Sequence, residues 1–225
     1  MPSSYLYAKD NADNLPDRFA VISKIQTKGV GRTGKTFISN SKNGVYFTFI
    51  IKNADNLPHL TCAAAVTAVR VIKKFFNKDT QIKWVNDIMF DNKKVCGILA
   101  GFAGDAKYGT AVLGIGLNLA PPRGGFAAEI SDIAGAVQKK ARAFIKAEFI
   151  AEYLNEFDRI YREKQDFMQE YAALSYNVGK KARFVKDGKT VNGICTAVNG
   201  DGSLTVISDD KEYNLTFGEV SVKPF

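Results

Sequence analysis

Residues 29–36, GVGRTGKT, satisfy the phosphate-loop pattern G-x-x-x-x-G-K-[ST], and the residues after them contradict it. A phosphate loop works because it opens directly into a helix, whose N-terminus and loop N–H groups hold the phosphates. Here the chain continues FISNSKNGVYFTFII, where Asn43-Gly44 interrupts it and a β-branched, aromatic strand follows. There is no room for the helix. An acidic residue ending a hydrophobic strand, needed for Mg²⁺ in such enzymes, is matched only by the short IMFD of residues 88–91. The stretch is therefore a Gly-basic loop between two strands. Gly29, Gly31 and Gly34 allow positive φ or close backbone approach, and Lys28, Arg32 and Lys35 bring charge suited to anions. Taken alone, it is equally a solvated hairpin.

Strand-like runs occupy 19–25, 45–51, 82–85, 94–101 and 110–119, several apolar without strict alternation. That texture fits central strands covered by helices on a face. Between them, residues 58–76 read as a buried helix with Pro58 in its first turn and Lys73 and Lys74 in its last. Residues 131–164 are the clearest helical stretch, with Phe149, Ile150, Tyr153, Leu154, Phe157, Ile160 and Tyr161 at three- and four-residue steps. Such a stripe is a packing face far more often than a ligand box. From 178 onward short strands are punctuated by Asp187-Gly188 and Asp201-Gly202, both hairpin signals. The expectation is a small β-barrel of about 45 residues, too small to be very stable alone and so docked on the first domain.

The net charge of +8 points to an anionic ligand or partner. Residues 178–225 hold seven Lys and Arg against six Asp and Glu, so +7 belongs to the first 177 residues, which carry the Gly-basic loop. Cys62, Cys96 and Cys195 are far apart in apolar contexts, as expected for reduced core thiols in a cytoplasmic protein. The single His59 cannot anchor a zinc centre unaided, and no metal site is expected. No apolar run approaches ~20 residues and no signal-peptide pattern opens the chain, so no membrane association is expected.

A second constellation accompanies the loop. KWVNDIMFDNKKVCGILAG, residues 83–101, places Trp84, Asn86 and Asp87 at a strand end, a turn at Asp91-Asn92, then Lys93, Lys94 and Gly97 on the next strand. Asp87 and Lys94 are expected to approach one another across this turn; the plainer reading is a charged surface turn. GIGLNL, residues 114–119, adds small residues and Asn118, a purine or ribose partner.

Together these motifs resemble the biotin–protein ligase family. QTKGVGRTGKTF resembles its Q-T-x-G-R-G-R-x-G-[RK]-x-W loop. KWVNDIMFDNKKVCGIL resembles its K-W-P-N-D … K-[VL]-x-G-I-L block, GIGLNL its G-[IV]-G-[IV]-N, and FGEVSVK the end of its C-terminal SH3-like domain. The match runs in order over nearly the whole chain.

The resemblance implies an α+β fold: a mixed β-sheet packed with helices (a class II synthetase-like, biotin–lipoate ligase-like catalytic domain) over residues 1–176, and a small C-terminal SH3-like β-barrel over 177–225. It implies an ATP-dependent biotin–[acetyl-CoA-carboxylase] ligase. Biotin and ATP would give biotinyl-5′-AMP, and a lysine of a biotin carboxyl carrier protein would accept the biotin. Catalysis would fall to Lys94, Arg32 and Asp87. Ser4, Gln26, Gly29, Arg32, Lys94 and Gly97 would bind biotin. Gly31, Arg32, Lys35, Phe37, Asn86 and Asn118 would bind ATP or the adenylate, with Mg²⁺ accompanying ATP.

The chain departs from the family pattern at several places. Val30 stands where Arg is usual, Thr33 where a second Arg is common, Phe37 for Trp, Val85 for Pro, and Ser3-Ser4-Tyr5 for S-T-N. Loss of the Arg at 30 is expected to weaken retention of the adenylate. Only some 18 residues precede the first strand, too few for the winged helix of regulatory members, so no specific DNA binding is expected. Members often form a homodimer through a sheet edge, which no residue here decides. A lipoate or octanoate ligase or transferase of the sister family is the nearest alternative, and a degenerate nucleotide-binding homologue another. A non-catalytic barrel binding nucleic acid through Arg183 and Phe184 is weakened by the +1 charge of that region.

Overall fold

The computed structural model describes residues 1–103, 109–141, 145–163, 166–216 and 223–224. A six-stranded sheet forms the first domain in the order β1-β2-β6-β5-β4-β3. Its strands are β1 (Ala20–Ser23), β2 (Gly44–Ala54), β3 (Gln81–Lys83), β4 (Asp87–Phe90), β5 (Lys93–Phe102) and β6 (Gly109–Asn118). The ladders run antiparallel, and parallel pairing enters as isolated bridges from Ile82 to Ser175 and from Lys94 to Ala134.

One face of the sheet, carrying Phe47, Phe49, Ile98, Leu113 and Ile115, packs on α2 (Leu57–Phe76) and α3 (Ile145–Arg162). The start of α2 is fixed by Asn56, whose side chain accepts from His59 N at 3.0 Å, with Pro58 in the first turn. It ends at Asn77, which adopts the left-handed conformation at φ 50°. Its alanine-rich middle lets α3 approach closely, and the buried Tyr153 hydroxyl donates to Ala64 O at 2.7 Å. Arg70 ties three helices together, bonding Glu156 on α3 and Glu170 on α4 (Met168–Ala173).

The helix expected over 131–164 is shorter: among the described residues it begins at Ile145. The preceding backbone bonds to strand ends instead. Lys94 N donates to Ile133 O at 2.7 Å, Gly135 N to Lys94 O at 2.9 Å, and Val137 N to Asn118 O at 3.1 Å. Those groups cannot also serve a helix, and the apolar periodicity starts only at Phe149. Two short helices, α1 (Ser4–Asp10) and α4, were not expected; α1 is capped by the Ser3 hydroxyl accepting from Leu6 N.

The C-terminal domain is an antiparallel sheet in the order β10-β9-β8-β7-β11, from β7 (Lys181–Lys186), β8 (Lys189–Val198), β9 (Leu204–Ser208), β10 (Lys211–Leu215) and the short β11 (Lys223–Pro224). Asp187-Gly188 makes the expected tight turn, both residues at positive φ (49° and 73°). A second such turn at Asp209-Asp210 uses φ of 48° and 60°. Most of the FGEVSVK stretch, residues 217–222, lies outside the described residues. Trp84 and Val85 of the first domain complete the core of the second, packing with Ala182, Phe184, Cys195, Leu204 and Val206. Trp84 Nε1 donates to Gly202 O at 2.9 Å and Trp84 N to Asn177 Oδ1 at 2.7 Å. All three cysteines are free and buried, and burial pushes their thiols up to about 12, 12 and 11 for Cys62, Cys96 and Cys195.

Candidate active site

The sheet face turned away from α2 and α3 carries the site. Residues directly opposite one another on paired strands share a face. One unbroken row crosses all six strands: Lys83, Asp87, Gly97, Gly116, Tyr46 and Ser23. A charged pair thus stands at one end of a floor of glycines.

Strict alternation from Gly97 would point Lys94 at the helices, because the two are three positions apart. A bulge in the β4–β5 ladder prevents this: Ile88 pairs with Cys96 but Met89 pairs with Lys94, leaving Val95 as the extra residue. Val95 and Cys96 both enter the core, and Lys94 is turned onto the glycine face. There its Nζ lies 2.6 Å from Asp87 Oδ1 and 5.7 Å from the centre of the Phe37 ring. The Asp91-Asn92 turn, with φ of 49° and 58°, closes the hairpin.

The Gly-basic loop folds over this floor. Phe37 N donates to Gly29 O at 3.0 Å and Gly31 N to Lys35 O at 2.7 Å, with a short helical turn over Arg32–Gly34 at the tip. Of its glycines only Gly34 needs positive φ, at 74°; Gly29 and Gly31 serve close approach instead. A Cβ on Gly29 would stand 2.2 Å from Phe37 O and 2.4 Å from Ser39 Oγ. Phe37 lies on the floor, so that a Cβ on Gly116 would meet its Cε1 at 2.5 Å and one on Gly97 its Cε2 at 3.1 Å. Gly116→Ala is therefore expected to lift Phe37 and, on the expectation that this face binds biotin, to weaken that binding by about tenfold or more, the scale of a misfitted methyl. Titration calorimetry of the folded variant checks this, and affinity unchanged within twofold would refute it.

Arg32 Nη1 donates to Asn86 Oδ1 at 3.0 Å, and Asn86 Nδ2 donates to Ile98 O at 2.5 Å. The expected adenylate ligand Asn86 is thus committed to holding Arg32 near the Asp87–Lys94 pair. Lys35 is exposed at the tip. The Lys83 ammonium is held below the ordinary lysine range by burial first, opposed by Asp87 and reinforced by Lys94, Lys35 and Lys180. Positive charge converges here on one carboxylate.

At the other end, polar groups replace charge. Gln26 Oε1 accepts from Ser4 N at 2.7 Å and Ser4 Oγ at 3.1 Å; Gln26 Nε2 donates to Ser39 Oγ at 3.1 Å. Ser4 Oγ and Thr48 Oγ1 share a bond of 2.9 Å. All four side chains are buried. Asn118 lies apart, donating to Gly135 O at 3.0 Å and lining a cavity of about 310 Å³ with Tyr46, Gly124, Gly125 and Ile130. The sequence reading missed Lys83, Ser39 and Thr48. Lys83 alone had a signal, as the first residue of the KWVND block; the other two are recognisable only once strands are registered.

The structure thus brings Arg32, Asn86, Asp87, Lys94, Gly97 and Phe37 to one side of the floor and Ser4 and Gln26 to another. A face that joins cations, glycines and a buried network of hydroxyls and one amide belongs to a domain of the ligase class: residues 1–118 match the Biotin/lipoate A/B protein ligase family, and the chain belongs to that family. The chain is 33% identical over 210 residues to the Bifunctional ligase/repressor BirA of Bacillus subtilis (strain 168), covering 88% of this chain and 64% of that protein. It therefore spans about two thirds of that relative's length. It is 23% identical over 225 residues to Biotin--protein ligase 2 of Arabidopsis thaliana, covering 93% of this chain and 68% of that protein. The fold is that of the biotin protein ligase from Aquifex aeolicus solved in complex with biotin and ATP, with TM-score 0.85, 21% identity, and 100% of this chain and 96% of that one covered. The biotin protein ligase from Leishmania major in complex with biotinyl-5-AMP aligns with TM-score 0.63 and 20% identity over 95% of each chain. No described helix is long and apolar enough to cross a membrane.

Proposed function

We propose that the protein is an ATP-dependent biotin–protein ligase, residues 1–176 forming the catalytic domain and 177–225 a docked module. The observation that carries this reading is the Asp87–Lys94 pair turned by the bulge onto a glycine floor whose far end is a buried Ser4–Gln26–Thr48 network. The glycines let flat groups lie at backbone distance, as the Phe37 ring does. The network offers a urea both donors and acceptors, and Lys94 and Arg32 receive the carboxylate and phosphate at the other end.

The carboxylate of biotin is already a nucleophile, so its attack on the α-phosphorus of ATP needs no strong base. One oxygen–phosphorus bond forms as the bond to pyrophosphate breaks, leaving biotinyl-5′-AMP. The protein's contribution is to bring two anions together and to neutralise charge on the phosphoryl oxygens. Lys94 does this at the carboxyl–phosphate junction, Asp87 orients it, and Arg32 is aimed by Asn86. Phe37 covers the junction, and Asn118 takes the purine side. A lysine amine of a biotin carboxyl carrier protein then attacks the acyl carbon, releasing AMP. Mg²⁺ enters with ATP. Asp87 would offer it a carboxylate oxygen, which suits an ion that keeps waters and phosphate oxygens.

Intact-mass spectrometry of a biotin carrier domain, incubated with the protein, Mg-ATP and biotin or lipoate, tests the reading. A gain of one biotinyl group is expected; a gain with lipoate alone moves the substrate to the sister family, and no gain with either refutes ligase activity. Val30 pairs with Thr36 at the root of the loop tip, near Arg32. Val30→Arg is expected to slow release of biotinyl-5′-AMP in a filter-binding chase, and an unaltered release rate would remove the role assigned to that position.

A further inference from the structure

We infer that Tyr5 is the end wall of the acid-binding groove and sets which acids fit it; the inference rests on the proposed reading of that groove. Tyr5 follows Ser4 in the first turn of α1, so the Ser3 cap and the Ser4 bonds to Gln26 and Thr48 hold its backbone against the sheet. Its side chain lies along the face. A Cβ built on Gly114 would stand 3.1 Å from Tyr5 Cδ2, and one on Gly101 would stand 2.4 Å from its hydroxyl oxygen. Gly114 pairs with Leu99, and Gly101 is the next residue of β5 on the same face. The glycine floor therefore has two tenants. Phe37 covers Gly97 and Gly116 beside Lys94, and Tyr5 covers Gly114, opposite Thr48 of the polar network, and Gly101.

This arrangement gives the groove a length. From Gly97 to Gly101 is four residues of strand, about 13 Å, with Leu99 between them on the same face. Tyr5 occupies the last part of it, and its ring is braced from behind by Ala8, Val21, Ile50 and Val112. Burial holds its phenol above the ordinary tyrosine range, so the wall stays uncharged. A ligand urea seated on Ser4, Gln26 and Thr48 would present its ring edge to Tyr5. The acids admitted are those whose head is compact at that edge, and bulk added there meets the ring. With two glycines beneath, removing the ring opens a depression bordered by Thr48 and Leu99.

The test compares transfer of biotin with transfer of biotin bearing an ethyl group on a ureido nitrogen, for the parent protein and for Tyr5→Ala, Tyr5→Leu and Tyr5→Phe. The readout is the ratio of the two kcat/KM values, which cancels any general loss of folded enzyme. The parent and Tyr5→Phe are expected to favour biotin strongly. In Tyr5→Ala and Tyr5→Leu the preference is expected to fall by about tenfold or more, the scale of a few methylenes in an apolar pocket. Biotin transfer with the ratio unchanged within twofold in both Tyr5→Ala and Tyr5→Leu would overturn the inference, because Tyr5 would then serve packing alone. Transfer of neither acid by the parent would instead bring down the reading of the groove, and the inference with it.

Discussion

Replacing Lys94 by Ala is expected to lower biotin-dependent ATP–pyrophosphate exchange by about 10²–10³-fold, the range found when a single preorganised charge donor is removed from a reacting phosphoryl or acyl group. The ammonium lies 2.6 Å from Asp87 with its side chain 33% exposed, so its ion pair contributes no more than about 1 kcal/mol to folding. Activity should therefore collapse while the melting temperature hardly moves. The separation of the two readouts is what makes the variant informative. Lys94→Arg keeps the charge but spreads it over a wider fork, and its exchange should recover only in part. Exchange within tenfold of the parent in Lys94→Ala would show that the charge at the junction comes from elsewhere, with Lys83 and Arg32 the remaining sources on that face.

The second large effect lies at the domain junction. Trp84 belongs to the first domain by sequence but to the core of the second by packing, and its side chain is buried. Trp84→Ala is expected to cost about 3–5 kcal/mol, the usual penalty for emptying a large aromatic site. Its indole N–H also leaves Gly202 O without a donor. Urea unfolding followed by circular dichroism measures the loss. Limited proteolysis should then cut first within β7–β10, because the small sheet has lost the residue that completes its core. Trp84→Phe keeps most of the packing and should retain most of the stability. A loss below about 1 kcal/mol in Trp84→Ala would mean that the two domains do not depend on this contact. Trp84 is the one tryptophan of the chain, so parent fluorescence reports directly on docking.

What the sequence disclosed was local chemistry, and what it concealed was pairing. The long helix α2 was legible because an apolar run, a proline and terminal lysines agreed. The Asp187-Gly188 and Asp91-Asn92 turns were legible because few residues tolerate positive φ. Gly97, Lys94 and Asp87 on the glycine face, and Gly29 in the loop above it, were found through their motifs, but not the reason they meet. That reason is the cross-strand register, which links residues far apart in the chain. Ser39 and Thr48 are unremarkable in sequence and acquire their place from strands that are not neighbours along it. The helix expected over 131–141 failed for the same reason. Its described backbone bonds to strands more than fifteen residues away, a competition that no window of local periodicity records.

The extra residue at Val95 has a further consequence, for comparing this chain with others. Whether a lysine at that point faces the ligand or the oily interior depends on a parity, the count of residues between it and Gly97 after the bulge is allowed for. Two chains can carry the same lysine at the same aligned column and differ in function if one lacks the added residue. Conversely, a lysine displaced by one column can be equivalent if the irregularity moves with it. Equivalence at this site is a property of the backbone ladder, and the letters in an alignment inherit it only when the ladders agree.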